Sequence, residues 1–223
     1  MNPFYKILTF VYTEKCPYCR AMIDTGKIAC PDCLEEIRRK HIPIKGGAGG
    51  NRCVSSFIYG GRVRKAIHRI KFFERIQYLP QIAYITAHDI RGAFPVVKID
   101  FITAVPMHPD DRKKQGYNHA ELFAKALGKE FSLPYLDALE KIKRTEKQHK
   151  LTYTQRKTNL NGAFKVIDKE LINGKSILLI DDVITTGATL AECCKALKRA
   201  KPVAIYLATI ASARNDYPED TII

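Results

Sequence analysis

Short apolar runs alternate with amphipathic segments along most of the chain after residue 50. The apolar runs are typical of buried strands, and they cover residues 53–59, 101–106, 176–183 and 202–211. Between them, apolar positions at helical spacing predict helices over residues 61–73, about 75–90, 118–131 and 188–200. Strands that alternate with helices of this length predict an α/β fold, with a mostly parallel sheet and flanking helices.

The helix predicted over residues 61–73 has two contrasting faces. Val63, Ala66, Ile67 and Ile70 share one face at i, i+3, i+4 and i+7 spacing, which predicts that this face is buried. The other side is basic and carries Arg62, Arg64, Lys65 and Arg69.

The first 50 residues have a different pattern. A brief charged helix is predicted over residues 33–41, and the glycine-rich stretch PIKGGAGGN at 43–51 predicts a flexible linker. We therefore expect a small N-terminal module over residues 1–50 and a larger α/β domain over residues 51–223.

Four cysteines in the N-terminal module are arranged as CxxC–x10–CxxC, and they are Cys16, Cys19, Cys30 and Cys33. Each CxxC brings two thiolates to one metal ion, and four thiolates form a closed tetrahedral site that is typical of structural zinc. A segment this small has few other means of folding, so the metal is expected to stabilise it. The alternative is a redox-active thiol pair, which normally lies at a βα turn of a larger fold.

The chain is strongly basic, with a formal net charge of +14. Such a charge attracts polyanions, including nucleic acid, pyrophosphate compounds and anionic membranes, although it also serves ordinary solubility. No apolar run reaches the roughly 18–20 residues that a membrane-spanning helix needs. The N-terminus lacks the pattern of a signal peptide, so we expect a cytoplasmic protein.

The segment SILLIDDVITTGATL, residues 176–190, combines groups that suit a sugar phosphate. An apolar strand ends at Asp181 and Asp182, whose carboxylates can accept hydrogen bonds from a vicinal diol. The following turn enters a helix, where free backbone N–H groups and the helix dipole favour a phosphate. The alternative is a buried strand that simply ends in two capping aspartates before a threonine-rich turn.

This segment resembles the 5-phosphoribosyl-1-pyrophosphate (PRPP) signature of the type I phosphoribosyltransferases. The resemblance implies that Asp181 and Asp182 hold the ribose and act in catalysis. It also implies that the PRPP-binding residues are Asp181, Asp182, Val183, Thr185, Thr186, Gly187, Ala188 and Thr189. Enzymes of this kind usually need Mg²⁺ on the pyrophosphate, which suits the preference of that ion for phosphate oxygens.

Two further segments and the paired cysteines resemble the ComF family of late-competence proteins. Residues 104–124, AVPMHPDDRKKQGYNHAELFA, look like its pyrophosphate loop, and residues 144–164, RTEKQHKLTYTQRKTNLNGAF, look like its mobile hood. The resemblance implies a pyrophosphate and magnesium loop of Val105, Pro106, Met107, His108 and Arg112, together with Lys71. It implies a hood formed by Arg144, Gln148, Arg156 and Asn159. Gln115 and His119 depart from the family pattern, which usually has arginine and glutamine there.

Two function classes follow from these resemblances. The first is a magnesium-dependent phosphoribosyltransferase that acts in natural competence, although the sequence identifies no acceptor. The second is a non-catalytic, basic protein that binds single-stranded DNA and works with the DNA-uptake machinery, with PRPP as a regulatory ligand. A metabolic phosphoribosyltransferase unrelated to DNA uptake is a further alternative.

Overall fold

A computed structural model describes residues 14–24, 26–41, 43–72, 76–144 and 160–214. The strands are β1 (Glu14–Lys15), β2 (Met22–Ile23), β3 (Ile44–Ala48), β4 (Asn51–Ile58), β5 (Phe101–Ala104), β6 (Leu139–Lys141), β7 (Phe164–Val166), β8 (Ser176–Ile184) and β9 (Ala204–Ser212). The helices are α1 (Pro31–Lys40), α2 (Gly61–Phe72), α3 (Leu79–Ala93), α4 (Pro109–Gln115), α5 (His119–Phe131) and α6 (Ala188–Lys198). A short 3₁₀ turn, Ile76–Tyr78, precedes α3.

A five-stranded sheet in the order β3-β4-β9-β8-β5 forms the centre of the molecule. The pairs β4–β9, β9–β8 and β8–β5 are parallel, and only β3 runs antiparallel to its neighbour. The predicted α/β fold with a mostly parallel sheet is therefore confirmed.

Side chains that alternate along β8 face two hydrophobic cores. Leu178 and Ile180 belong to the core beneath α2, α3 and α5, whereas Ile177 and Leu179 belong to the core beneath α6. Both faces of the sheet are covered, which explains why the central strands have continuous apolar runs. The predicted buried face of α2 is also confirmed, since all four of its apolar residues are at most 2 % exposed.

The predicted glycine linker is wrong, because residues 44–48 form β3 and pair with β4. Gly49 and Gly50 make the turn between the two strands with φ values of +58° and +75°, a conformation that side chains disfavour. A Cβ atom on Gly49 would also lie 2.9 Å from the Cα of Ala191 in α6. The glycines thus serve a tight turn packed against a helix. The division into modules 1–50 and 51–223 stays a prediction.

The basic stretch that follows β5 is helical, where the sequence had suggested a loop. Helix α4 begins at Pro109, has Asp110 and Asp111 in its first turn, and carries Arg112, Lys113 and Lys114 in its last turn. This distribution of charge complements the helix dipole, which stabilises so short a helix.

The N-terminal module consists of the β1–β2 hairpin and α1, and it packs against α2. Tyr18, Cys33 and Ile37 belong to the same core as Ile67 of α2. Among the described residues, none of the helices is both long and apolar enough to span a membrane.

Candidate functional site

Two carboxylates lie side by side at the carboxyl end of β8, where ligands bind in open α/β sheets. The carboxylate of Asp182 lies 2.5 Å from the ammonium group of Lys71, which extends from the last turn of α2. Burial by itself lowers the pKa of Lys71. The charge of Asp182, its hydrogen bond to Lys71 and the charge of Asp181 together outweigh burial, and the pKa ends above its ordinary value. Burial and the adjacent charge of Asp182 raise the pKa of Asp181 to about 7.

The turn after β8 forms a concave surface of about 340 Å³ at the N-terminus of α6. Gly187 stands at the helix cap with φ +77°, and Thr186 Oγ1 accepts a hydrogen bond from the backbone N–H of Ala188. The predicted PRPP-binding residues, 181–183 and 185–189, all line this cavity together with Lys71. Val105 of the predicted pyrophosphate loop also lines it, and sequence reasoning missed Tyr59, Ile184 and Leu190, which complete the lining.

Arg214 contacts the turn after β8 on the side away from the cavity. Its guanidinium group donates hydrogen bonds to the carbonyls of Thr185 at 3.1 Å, Thr186 at 2.9 Å and Gly47 at 2.8 Å. Because C=O and N–H point in opposite directions across a trans peptide, the following N–H groups of Thr186 and Gly187 are directed away from Arg214. Arg214 follows β9 and carries no motif, so the sequence offered no signal for it.

A larger cavity of about 880 Å³ adjoins the first and shares Val105, Asp181 and Asp182 with it. Its lining residues are Val105, Pro106, Met107, Asp111, Lys114, Gln115, Asn118, His119, Ala120, Lys141, Arg144, Asp181 and Asp182. The structure therefore brings three of the predicted pyrophosphate-loop residues and Arg144 of the hood to one cavity. Lys114 belongs to the basic stretch of the predicted pyrophosphate loop, whereas Asp111 and Lys141 are charged lining residues that sequence reasoning did not assign.

Two predicted loop residues lie outside both cavities. Arg112 forms an ion pair with Glu121 at 2.9 Å, and the ring of His108 accepts a hydrogen bond from the N–H of Asp110 and so caps α4. Both side chains have local structural partners, which the sequence could not reveal. The predicted hood residues Gln148, Arg156 and Asn159 lie outside the described residues.

The four N-terminal cysteines form a second candidate site. Their sulfur atoms all lie within 4.8 Å of one another, and Cys16 and Cys33 are fully buried. Burial raises the pKa of Cys16, but hydrogen bonds from the backbone at Cys30, Cys19 and Tyr18 outweigh it and bring the pKa to about 7. Burial and the neighbouring thiols raise the pKa of Cys33. Backbone donors, sulfur ligands and close spacing all fit a tetrahedral thiolate-binding metal such as zinc.

Comparison with known proteins defines the class first. Residues 116–222, which include the acidic end of β8 and the turn after it, match the family described as "Phosphoribosyl transferase domain". Together with the parallel sheet, this match assigns the type I phosphoribosyltransferase fold.

Full-length relatives then identify the family. Competence protein F of Haemophilus influenzae is 30 % identical over 213 residues, which cover 84 % of this chain and 92 % of that protein. DNA utilization protein YhgH of Escherichia coli K12 is 26 % identical over 199 residues, covering 85 % of this chain and 86 % of that protein. Competence protein ComFC of Streptococcus pneumoniae is 28 % identical over 181 residues, covering 78 % and 76 %. The chain belongs to the ComF family.

Solved structures that resemble this one include adenine phosphoribosyltransferase from Saccharomyces cerevisiae. That structure has a TM-score of 0.39 and 18 % sequence identity, covering 81 % of this chain and 88 % of that one. A TM-score this low carries no information about the site.

Proposed function

We propose that this protein binds PRPP as a magnesium complex at the carboxyl end of β8, and that it acts as a phosphoribosyltransferase. One observation carries the proposal. Asp181 and Asp182 stand between two adjoining cavities, a small one lined by a helix N-terminus and a larger one lined by cations. PRPP has a phosphate, a diol and a pyrophosphate in the matching order.

Each part of the ligand has a partner of suitable chemistry. The 5-phosphate would accept hydrogen bonds from the N–H groups of the turn 185–189, with the dipole of α6 adding to the attraction. The ribose hydroxyls would donate to Asp181 and Asp182. Lys114, Lys141 and Arg144 line the larger cavity and would attract the pyrophosphate.

Magnesium, when bound, would neutralise charge on the pyrophosphate oxygens. The larger cavity fits such an ion, because Asp111, Asp181 and Asp182 supply carboxylate oxygens there. Asp182 is already neutralised by Lys71, which leaves Asp111 and Asp181 as the available protein ligands.

In turnover, the bond between C1 of the ribose and the pyrophosphate oxygen would break, and the electron pair would leave with pyrophosphate. The cation-like ribose would be stabilised by the carboxylates below it, and an acceptor nucleophile would then form the new bond to C1. The larger cavity, at about 880 Å³, has room for both the pyrophosphate and an acceptor.

Thermal unfolding with and without PRPP and Mg²⁺ tests this proposal. A ligand at 100 times its Kd stabilises the folded state by about 2.7 kcal/mol, so the wild-type midpoint should rise. The midpoint of Asp182→Ala should not rise, whereas that of Asp110→Ala, an aspartate outside both cavities, should rise like the wild type. No shift of the wild-type midpoint at millimolar PRPP would overturn the proposal. If the midpoint does rise, release of pyrophosphate in the presence of candidate acceptors measures turnover.

Binding of single-stranded DNA is a second candidate function. Arg64 and Lys65 are exposed on α2, and the last turn of the neighbouring α1 carries Arg38, Arg39 and Lys40. Two of the relatives are named for competence and one for DNA utilization. We place this activity in the cytoplasm, where a strand delivered by the DNA-uptake machinery would meet PRPP.

Fluorescence anisotropy with a labelled single-stranded oligonucleotide tests the DNA proposal. Lys65→Glu should weaken binding, because it reverses a charge on the basic surface. Lys169→Glu makes the same charge reversal at an exposed lysine that belongs to no helix, and it serves as the control. Equal affinities for the two variants would exclude α2 as the DNA-binding surface.

A further inference from the structure

Helix α2 connects the cysteine module to the PRPP site. At its first turn, the guanidinium group of Arg62 donates to the sulfur of Cys33 at 2.9 Å and pairs with Glu36 of α1 at 2.9 Å. The backbone N–H of Arg62 also donates to Glu36 at 3.0 Å, so that a carboxylate of the module caps the N-terminus of α2.

The last turns of α2 hold the module at a second point. The guanidinium group of Arg69 donates to the carbonyls of Pro17 and Tyr18, the first at 2.9 Å, and both residues lie between Cys16 and Cys19. Arg62 and Arg69 therefore contact both CxxC segments of the four-cysteine cluster. Arg64, on the same helix, is exposed and has no described side-chain partner.

Lys71 follows Arg69 by two residues and extends into the PRPP site. Its backbone carbonyl accepts hydrogen bonds from the ring Nε2–H of His119 at 2.8 Å and the side-chain amide of Gln115 at 3.4 Å. The carbonyl of Ile70 accepts from the hydroxyl of Tyr117 at 3.4 Å. The carbonyls at a helix end lack partners within the helix, so these donors fix the end of α2.

This arrangement gives a role to the two residues that depart from the family pattern. Gln115 and His119 do not simply line the cavity; they hold the backbone from which Lys71 reaches Asp182. Burial lowers the pKa of His119, so the ring is neutral near pH 7 and donates its Nε2 proton to the carbonyl.

We propose that Arg62 and Arg69 are positioning residues through which the metal-loaded cysteine module sets the place of Lys71, and thereby the affinity for PRPP. A module of this size depends on its metal for folding, and without it the acceptors of both arginines would be lost. Because Arg69 and Lys71 lie two residues apart in the same helix, a displacement at Arg69 is passed on to Lys71. The inference rests on the proposed PRPP site.

A double-mutant cycle in the metal-loaded protein tests the connection. Arg69→Ala should weaken the binding of magnesium PRPP about 2- to 30-fold, the range expected for a coupling between separate sites. In a Lys71→Ala background the same change should have no further effect, and Arg64→Ala should have none in either background. Losses that simply multiply in the double variant would show that Arg69 does not act through Lys71.

A second readout needs no PRPP. The side-chain NMR signal of His119, assigned with a His119→Gln variant, reports on the position of the end of α2. It should shift in Arg69→Ala and on chelation of the metal, and it should stay in place in Arg64→Ala. An unchanged signal in a folded Arg69→Ala protein would overturn the inference.

These two readouts separate the inference from the proposed function. If the wild type does not bind PRPP, the proposed function fails, while the His119 signal still decides whether the module positions α2. Circular dichroism and metal content show whether each variant is folded. Should Arg69→Ala not fold, Arg62→Ala applies the same test at the first turn of the helix.

Discussion

Asp181 and Asp182 show how adjacent residues of one type acquire different properties. Lys71 neutralises Asp182, whereas burial and repulsion from Asp182 raise the pKa of Asp181 to about 7. The sequence predicted that both would lie at a strand end. It could not distinguish between them, because the cation comes from a distant helix.

The raised pKa of Asp181 predicts a pH-dependent cost to stability. Between about pH 4 and pH 7 the folded protein retains a proton on Asp181 that the unfolded chain, with its ordinary value of 3.8, has released. The free energy of unfolding therefore falls as the pH rises through this range and is constant above it. Asn at this position removes this loss of stability, because it does not ionise. Its side-chain oxygen can still accept the hydrogen bond that the N–H of Asp182 donates to Asp181 in the wild type, at 2.8 Å.

We thus expect Asp181→Asn to be more stable than the wild type at pH 8, by about 1–4 kcal/mol. The difference should shrink toward pH 4, and PRPP binding should weaken. Thermal unfolding from pH 4 to pH 9 measures this. A difference that grows as the pH falls would contradict the raised pKa.

Gly187 allows a second test at the scale of a residue. Its φ of +77° disfavours side chains, and a Cβ atom there would collide with the guanidinium group of Arg214. We expect Gly187→Ala to lower the free energy of unfolding by about 1–3 kcal/mol and to abolish PRPP binding. Gly174→Ala is a matched control, because Gly174 has a φ of +71° and no atom near its missing side chain. Chemical denaturation measures the loss in the free energy of unfolding for both variants. Equal losses would exclude a contribution from the collision with Arg214.

At the scale of elements, the strands and helices with clear apolar periodicity were predicted, and so was the charged helix α1, whereas β3 and α4 were not. The pattern in α2 gave its buried face, and it gave its bounds to within one residue, 61–73 against the observed Gly61–Phe72. Strand β3 was missed because its sequence, IKGGA, has almost no side chains to alternate. It forms because its backbone completes the edge of the sheet beside β4.

The cysteine module predicts a zinc content that can be measured in cysteine variants. Cys33 is a buried member of the four-cysteine cluster, whereas Cys53 is a buried cysteine of β4 outside it. We expect one zinc ion per chain in the wild type and in Cys53→Ser, and less than half of that in Cys33→Ser, measured by elemental analysis. Cys33→Ser should also unfold at a lower temperature than the wild type, because zinc supplies folding energy to small modules. Full zinc content in Cys33→Ser would contradict the site.

At the scale of the whole molecule, the net charge of +14 bears on any polyanionic partner. If about six phosphates of single-stranded DNA are contacted, the slope of log K against log salt should be about −4. Anisotropy titrations between 50 and 200 mM salt measure this slope. A slope near zero would show that the positive charge does not bind DNA.

The sequence by itself determined the α/β fold, the acidic strand end with the turn that follows it, and the paired cysteines that the structure brings together. Each of these is encoded in contiguous residues, where periodicity and local chemistry suffice. Only the tertiary structure paired Lys71 with Asp182 and Arg112 with Glu121. It also brought Arg214 to the carbonyls of the turn after β8. Gln115 and His119 were found to contact the end of α2 in the same way. Most of these contacts join residues far apart in the chain, and Arg112 meets Glu121 across two successive helices. In each case the partner is chosen by how the elements pack, which no local pattern records.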